Sequence, residues 1–142
     1  MPKALIVYDT FSGHNRIVAE KIKKYLENLG VAVDIFRDKT FNAFDTVQDY
    51  DVIALGSPAH GNNPALTLTR KLKALLKMDL SGKKLITFSS SGGALNAGRV
   101  VKKLETLMTP TKITAIASIS CQGKPSAGFD DVLEASIQEQ ML

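Results

Sequence analysis

The sequence predicts an α/β fold, a three-layer α/β/α sandwich built on a five-stranded parallel sheet. Five short apolar segments rich in β-branched residues alternate along the chain with five segments in which apolar residues recur at helical spacing. Such alternation is typical of parallel βαβ units with right-handed crossovers, whose helices cover both faces of the sheet. The 142 residues, 44% of them hydrophobic, suffice for one core, so residues 1–142 are expected to form a single domain.

The strands are predicted at residues 4–8, 31–36, 51–56, 85–88 and 113–121, where apolar runs end in polar or glycine-containing loops. The first helix is followed by Gly30, its expected C-terminal cap. Residues 40–50 predict a weak, short helix with Phe41, Phe44 and Val47 turned inward. The apolar positions of the other helices are Ile17, Val18, Ile22, Leu26 and Leu29 in the first, Leu68, Leu72, Leu75 and Leu76 in the third, Val100, Val101, Leu104, Leu107 and Met108 in the fourth, and Phe129, Val132, Leu133 and Ile137 in a terminal helix.

Three loops rich in glycine, serine and asparagine follow the first, third and fourth strands, at residues 9–15, 57–64 and 89–93. In open parallel sheets, ligands bind at the carboxyl ends of the strands, near the point where strand order reverses. We therefore expect the three loops to lie side by side and to form the functional site.

The net charge of +4 is unevenly distributed. Residues 64–108 contain nine lysines and arginines against Asp79 and Glu105, a net +7, which leaves −3 for the rest of the chain. This asymmetry can attract an acidic partner or a nucleic acid, but the solvated faces of two helices also produce it. We favour the solvated faces and expect no nucleic-acid partner, because no aromatic residues are interleaved among the cations for base stacking.

Several classes of function are disfavoured. No apolar run approaches the roughly 20 residues of a membrane span, and no signal-peptide pattern is present, so a cytoplasmic protein with no membrane partner is expected. Cys121 is the only cysteine and the two histidines stand 46 positions apart, so neither a disulfide nor a metal site is expected. A receiver domain needs an aspartate where Gly56 and Ser57 stand, and a cysteine phosphatase needs an arginine at Ala127. No catalytic residue is assigned.

The first strand and the first helix are joined by Thr10-Phe11-Ser12-Gly13-His14-Asn15. Free backbone N–H groups and the helix dipole favour a phosphate at such a helix N-terminus. The patterns Gly-x-x-x-x-Gly-Lys-Ser/Thr and Gly-x-Gly-x-x-Gly are both missing, so the expected ligand is a monophosphate held by neutral donors. The same residues fit an ordinary helix cap with Ser12 or Thr10 as the N-cap, and both interpretations stay open at this point.

Taken together, the three loops resemble those of the flavodoxin family, and the resemblance covers nearly the whole chain. The family's first loop reads Ser/Thr-x-Thr/Ser-Gly-x-Thr, which Thr10, Ser12 and Gly13 match, while Asn15 stands where a threonine is usual. The family's flavin-edge loop is similar to Gly56-Ser57-Pro58-Ala59-His60-Gly61-Asn62. Its second ring-binding loop, Phe-Gly-Ser-Tyr-Gly-Trp, is similar to Phe88-Ser89-Ser90-Ser91-Gly92-Gly93.

The resemblance implies a sheet of strand order 2-1-3-4-5 and flavin mononucleotide (FMN) as the cofactor. The phosphate is expected at residues 10–15, and the isoalloxazine ring between residues 57–62 and 89–93. In this family the peptide after the flavin-edge residue turns its carbonyl toward the reduced ring, which supports one-electron transfer, and Gly61 permits that rotation. The implied cofactor-binding residues are Thr10, Phe11, Ser12, Gly13, His14, Asn15, Ser57, Pro58, Ala59, His60, Gly61, Asn62, Ser89, Ser90, Ser91, Gly92 and Gly93.

The aromatic residues that usually hold the flavin ring are missing. Ser91 and Gly93 stand where the family often has tyrosine and tryptophan, and His60 stands where it has tryptophan, tyrosine or methionine. An aromatic contact contributes about 0.5–1.5 kcal/mol beyond its buried area, so the loss of two is expected to weaken FMN binding about tenfold or more. His60 either lies against the ring, where its protonation tunes the reduced state, or is an exposed loop residue.

Three functions remain as hypotheses. The favoured one is an electron-transport flavoprotein that shuttles electrons between redox proteins. Because carriers of this family are usually acidic, the basic residues 64–108 point to acidic partners such as ferredoxin-like proteins. The second hypothesis is an oxidoreductase, an FMN-dependent NAD(P)H:quinone-type reductase, for which residues 89–93 leave room for a second ring. The third is a regulatory module that kept the fold and lost the flavin.

Overall fold

A computed structural model of the chain describes residues 2–10, 13–41, 44–60, 62–91 and 93–122, together with Glu134, Ala135 and Ile137. The elements in chain order are β1 (Lys3–Tyr8), α1 (His14–Asn28), β2 (Ala32–Arg37), a 3₁₀ helix (Phe44–Asp49), β3 (Val52–Gly56), α2 (Leu66–Leu72), a 3₁₀ turn (Lys73–Leu75), β4 (Lys84–Ser91), α3 (Ala94–Met108), a 3₁₀ turn (Thr109–Thr111) and β5 (Thr114–Gln122). The five strands are parallel and lie in the order β2-β1-β3-β4-β5. The predicted fold class and strand order are confirmed.

The central strands are apolar on both faces of the sheet. All the residues of β3 are buried, and so is every residue of β1 after Lys3, as expected for a parallel sheet covered on both sides. Successive side chains alternate between the faces, so Ile6 packs on the side of α1, whereas Leu5 and Val7 pack on the side of α2 and α3. The edge strands β2 and β5 are more exposed.

Helices cover the two faces as the apolar spacing predicts. Helix α1 ends at Asn28, and Gly30 follows with a φ of +87° while its N–H donates to the carbonyl of Glu27 at 3.0 Å. Glycine adopts this left-handed conformation without strain, so the predicted cap is confirmed. The helix residues in the two core clusters are Val18, Ala19, Ile22 and Leu26 of α1 on one face, and Leu68, Leu72, Val100, Leu104 and Met108 of α2 and α3 on the other.

Strand β4 is longer than the sequence predicts. The loop predicted over residues 89–93 is wrong for Ser89, Ser90 and Ser91, because these serines continue the strand. Ser89 pairs with Ser120, and the pairing continues to the end of β5. A serine-rich segment is typical of turns, but a partner strand satisfies its backbone groups here, and tertiary context overrides the local preference.

The helices before and after β3 are shorter or tighter than predicted. The weak helix expected over residues 40–50 is a 3₁₀ helix, with Phe41 and Val47 buried as predicted; the side chain of Phe44 lies outside the described residues. The third helix ends at Leu72 and continues as a 3₁₀ turn that still buries Leu75 and leaves Leu76 partly buried.

Only a small part of the predicted terminal helix is described. Ile137 is fully buried in the core on the α1 side, whereas Phe129, Val132 and Leu133 lie outside the described residues. Among the described helices, none is both long enough and apolar enough to cross a membrane.

Candidate functional site

The three predicted loops meet at the carboxyl ends of the central strands. We call residues 9–15 loop A, residues 57–64 loop B and residues 89–93 segment C. The N–H of Asp9 donates to the carbonyl of Gly56 at 2.9 Å, and the N–H of Ser57 donates to the carbonyl of Phe88 at 3.2 Å. These bonds continue the strand pairing up to the point where the loops begin, so the expected juxtaposition is confirmed.

Asn15 joins loop A to segment C through its side-chain amide. Its Nδ2 donates to the carbonyl of Ser90 at 3.2 Å, and its Oδ1 accepts the N–H of Ser90 at 2.9 Å. Both residues are buried. The two bonds replace those of a neighbouring strand beyond the end of β3, where buried backbone groups need partners. The amide that the sequence offers as a phosphate donor therefore belongs to the frame of the site, and its second N–H has no acceptor among the described residues.

The hydroxyls of Ser57 and Ser89 also point into this frame. Ser89 Oγ donates to the carbonyl of Ser57 at 2.6 Å. Ser57 Oγ donates to the carbonyl of Pro58 at 2.8 Å and accepts the N–H of Ala65 at 2.7 Å, which closes loop B at the start of α2. Both serines are fully buried, so their hydroxyls hold the loops in shape. A contact of either residue with a cofactor stays a prediction.

The N-terminus of α1 opens onto loop A. Gly13 precedes the helix with a φ of +91°, which favours glycine, and a Cβ at this position would meet no atom within 4 Å. Its N–H donates to Thr10 Oγ1 at 2.9 Å, so Thr10 is not the N-cap that the alternative interpretation assigned. No described side chain caps this helix and no acidic residue lies in its first turn. Phe11 and Ser12 lie outside the described residues, and His14 is the partly buried first residue of α1.

Loop B turns back on itself between His60 and Asn63. The N–H of His60 donates to the carbonyl of Asn63 at 2.9 Å, and the reverse bond is 3.2 Å long. Asn63 Oδ1 accepts a bond of 2.7 Å from Lys103 Nζ, which anchors the loop to α3. Of the predicted residues in this loop, His60 is exposed, Ala59 and Asn62 are partly buried, Pro58 is buried, and Gly61 lies outside the described residues.

Segment C ends in a tight turn built from small residues. Ser91 Oγ donates to the carbonyl of Gly93 at 2.6 Å and accepts its N–H at 3.3 Å. Gly93 has extended backbone and precedes the first residue of α3, and Gly92 lies outside the described residues. Ser91 and Gly93 are both partly buried, at the position where the flavodoxin pattern has aromatic rings.

A pocket of about 640 Å³ opens between loops A and B. Its lining includes Thr10 and His60, two of the predicted cofactor residues, together with Asp9, Lys39 and Thr67. The volume lies in the range of small-molecule and cofactor sites. Within the described part of the chain, no residue of segment C lines this pocket, so its centre lies toward β2 and α2.

Charged residues after β2 form one side of the pocket region between loops A and B, and no pattern in the sequence predicts a role for them. Asp38 is fully buried, its Oδ2 accepts a bond of 2.6 Å from Thr67 Oγ1, and its Oδ1 has no partner among the described residues. Lys71 Nζ donates to the backbone carbonyls of Asp38 and Phe41. Burial, and then the charge of Asp38, raises the pKa of Asp9. The only signal in the sequence is a run of charged residues directly after a strand.

Cys121 lies partly buried on β5, in agreement with its prediction as a strand-end residue. Burial raises the pKa of its thiol, which disfavours the nucleophilic thiolate at neutral pH.

Among the described residues, no cluster of three or more His, Cys, Asp or Glu side chains is placed to hold a metal ion.

No protein-family model matches this sequence. Its structure, in contrast, is similar to solved flavodoxins. A short-chain flavodoxin associated with a PDU bacterial microcompartment superposes with a TM-score of 0.84 at 17% identity, over 97% of this chain and 95% of that chain. The flavodoxin of Streptococcus pneumoniae TIGR4 superposes with a TM-score of 0.84 at 18% identity, over 98% of this chain and 97% of that chain. Rubredoxin oxygen:oxidoreductase from Desulfovibrio gigas gives 0.86 at 19% identity, over 96% of this chain and 34% of that chain. The chain has the flavodoxin-like fold.

Proposed function

We propose that the protein binds FMN where loop A, loop B and segment C meet, and that it carries electrons between redox proteins. The observation that carries this proposal is the N-terminus of α1 behind Gly13, which no described side chain caps and which is set among loops that Asn15 and Ser57 hold together. Flavodoxins of the same fold and nearly the same length support it. Bound FMN would supply reversible redox chemistry, while the protein binds, orients and partly shields the group.

The residues present fit this cofactor. A helix N-terminus with no acidic residue in its first turn favours a phosphate dianion, and Thr10 and Gly13 would contribute to the same cradle. The flavin ring would lie between the tip of loop B and the end of segment C. There, His60 is exposed and Ser91 and Gly93 are small, so an edge of the ring would stay open to a partner.

Titration of the purified protein with FMN, followed by flavin fluorescence, tests the proposal. Saturable quenching is expected for the natural sequence. His14→Glu places a carboxylate at the start of α1 and should weaken FMN binding about tenfold or more, by repulsion of the phosphate. The control Asn28→Glu adds the same charge at the other end of α1, roughly 20 Å away, and should leave the affinity unchanged.

The outcomes of this titration separate the hypotheses. If the two variants weakened FMN binding equally, the phosphate would not bind at loop A. The lack of any saturable quenching in the natural sequence would overturn the cofactor proposal and favour a regulatory module without flavin. Stepwise reduction of the FMN-loaded protein, followed in the visible spectrum, then shows whether electrons enter singly, as a carrier requires, or in pairs.

The pocket between loops A and B favours one second candidate, an FMN-dependent NAD(P)H:quinone-type reductase. It is lined by His60 at the expected ring edge and by Lys39, a cation suited to an anionic nicotinamide donor. Oxidation of NADH and NADPH by the FMN-loaded protein, with a soluble quinone as acceptor, discriminates between the two functions. A carrier shows almost no turnover, whereas steady turnover with either donor would replace the carrier proposal by the reductase.

A further inference from the structure

We propose that a basic face on α2 and α3 docks an acidic electron-transfer protein. This inference rests on the proposed function, and it states which side of the molecule the partner approaches. The face lies on the side of the sheet opposite to α1, where α2 and α3 contribute to the same core cluster. The basic face consists of Leu66, Arg70, Leu95, Arg99, Lys102 and Lys103.

The cations of this face are exposed and not neutralised. Arg70, Arg99, Lys102 and Lys103 are all exposed. Within the described part of the chain, none of them lies within 4 Å of a carboxylate. Unpaired cations on neighbouring helices generate a field that attracts a negatively charged protein and accelerates its association.

Other lysines of the same basic segment have structural roles instead. Lys71 Nζ donates to the carbonyl of Phe41 at 2.9 Å, and Lys83 Nζ donates to the carbonyls of Gln48 and Tyr50 at 2.8 and 2.6 Å. The charge of residues 64–108 thus includes lysines that tie loops to the body of the fold and exposed cations that remain available to a partner. Lys103 belongs to both sets, because its exposed side chain also binds Asn63.

Helix α1, on the opposite side of the sheet, provides the contrast. Arg16 pairs with Glu20 at 3.2 Å, and Lys23 pairs with Glu27 at 3.2 Å, both at spacing i, i+4. Such pairs reduce the net field of the helix surface. The solvated faces of the helices therefore differ in the pairing of their cations: α1 has two ion pairs, whereas the cations of the basic face have none among the described residues.

Two exposed leucines place this face beside the proposed ring-binding loops. Leu66 is 60% exposed at the start of α2, directly after loop B, and Leu95 is 68% exposed near the start of α3, directly after segment C. The bond from Lys103 to Asn63 joins α3 to loop B. Apolar side chains within a charged surround are typical of protein interfaces, and a partner seated here would lie against the edge of the site.

Electron transfer from a reduced acidic [2Fe–2S] ferredoxin to the FMN-loaded protein, measured by stopped flow, tests this proposal. Arg99→Glu/Lys102→Glu should lower the bimolecular rate constant about tenfold in about 0.01 M salt. The difference should shrink in about 1 M salt, where the Debye length falls from about 30 Å to about 3 Å. The matched control, Lys21→Glu/Lys24→Glu on α1, changes the net charge equally and should alter the rate less than twofold. Equal slowing by both pairs, or no slowing by the first, would overturn the docking face.

A second measurement separates this inference from FMN binding itself. Amide shifts of the ¹⁵N-labelled protein, as purified and with added FMN, are followed during titration with the oxidised ferredoxin. Shifts centred on residues 95–103 are expected in both samples. If FMN does not bind and the shifts still appear there, the cofactor proposal alone fails. If FMN binds and the shifts lie elsewhere, the docking face alone is wrong.

Discussion

Gly56 ends β3 against the ring of Phe88, and no space for a side chain remains between them. A Cβ at Gly56 would lie inside van der Waals contact of three ring atoms of Phe88, which is itself fully buried. The glycine is therefore required because the Phe88 ring occupies the space that a side chain would need. Gly13 and Gly30 differ from it, since a positive φ requires glycine there while the space around them is open.

Gly56→Ala is expected to destabilise the protein by about 3 kcal/mol or more, because the added methyl overpacks a filled core. Chemical denaturation measures the change in the free energy of unfolding. Phe88→Leu shortens the opposing side chain, so adding Gly56→Ala to that variant should lower the free energy of unfolding much less. This double variant remains informative if Gly56→Ala alone does not fold.

Gly98→Ala is the matched control, because a Cβ at Gly98 in α3 would meet no atom within 4 Å. Alanine is the better helix former, so this change should stabilise the protein by about 0.5–1 kcal/mol. Similar effects of the two alanine substitutions would refute the close approach at Gly56.

At the scale of elements, the link between α1 and β4 depends on one side chain. Asn15→Ala removes both bonds to Ser90 and leaves buried backbone groups of β4 without these partners. Each such loss costs about 1–3 kcal/mol, so the free energy of unfolding should fall by about 2–4 kcal/mol. The neighbouring Arg16→Ala, which removes only an exposed ion pair, should cost less than about 1 kcal/mol. Equal losses would mean that Asn15 does not join the two elements.

A second link joins β3 and the 3₁₀ helix before it to the edge strand β2. Tyr50 Oη donates to Asp34 Oδ2 at 2.7 Å. Burial, and then this bond to Asp34, raises the pKa of Tyr50 from 10.0 to about 12. Because the pKa is raised in the folded state, the stabilisation by the neutral phenol is fully present below pH 10 and is lost as the pH rises through about 12.

Tyr50→Phe should therefore lower the free energy of unfolding at neutral pH by about 1–2 kcal/mol and remove part of its decrease between pH 10 and pH 12. Denaturant titrations at several pH values measure both effects. The control is Tyr25→Phe, because the Tyr25 hydroxyl is buried and has no hydrogen-bond partner among the described residues. Its removal should be neutral or slightly stabilising at neutral pH, and an equal loss in the two variants would contradict this contrast.

At the scale of the whole molecule, FMN should stabilise the folded protein against unfolding if it binds at the proposed site. At a concentration about 100-fold above its dissociation constant, a ligand that binds only the folded state adds about 2.7 kcal/mol. For a chain of this size that corresponds to a rise in Tm of about 10 °C. Thermal unfolding with riboflavin, which lacks the phosphate, is the control and should give a much smaller shift. Equal shifts with both ligands would show that the phosphate does not contribute at loop A.

Much of the architecture follows from local patterns in the sequence. Apolar runs predict the five strands, and helical periodicity with Gly30 predicts the first helix. Loops at the carboxyl ends of three strands predict the position of the candidate site. These features are local because strand and helix periods are set by backbone geometry. The strand order came from the resemblance to flavodoxins, since alternation of elements alone does not specify which strands are neighbours.

Only the tertiary structure decided how the candidate site is built. Ser89 to Ser91 became part of a strand because β5 supplies their partners, and Asn15 became a structural link because Ser90, 75 positions away, meets it. Likewise, Lys71 and Lys83 reach backbone carbonyls while Arg99 and Lys102 stay exposed. The roles of the serines, of Asn15 and of the two lysines depend on partners distant in sequence. Arg99 and Lys102 stay exposed because no such partner meets them in the described part of the chain, so no local pattern separates the two kinds of cation.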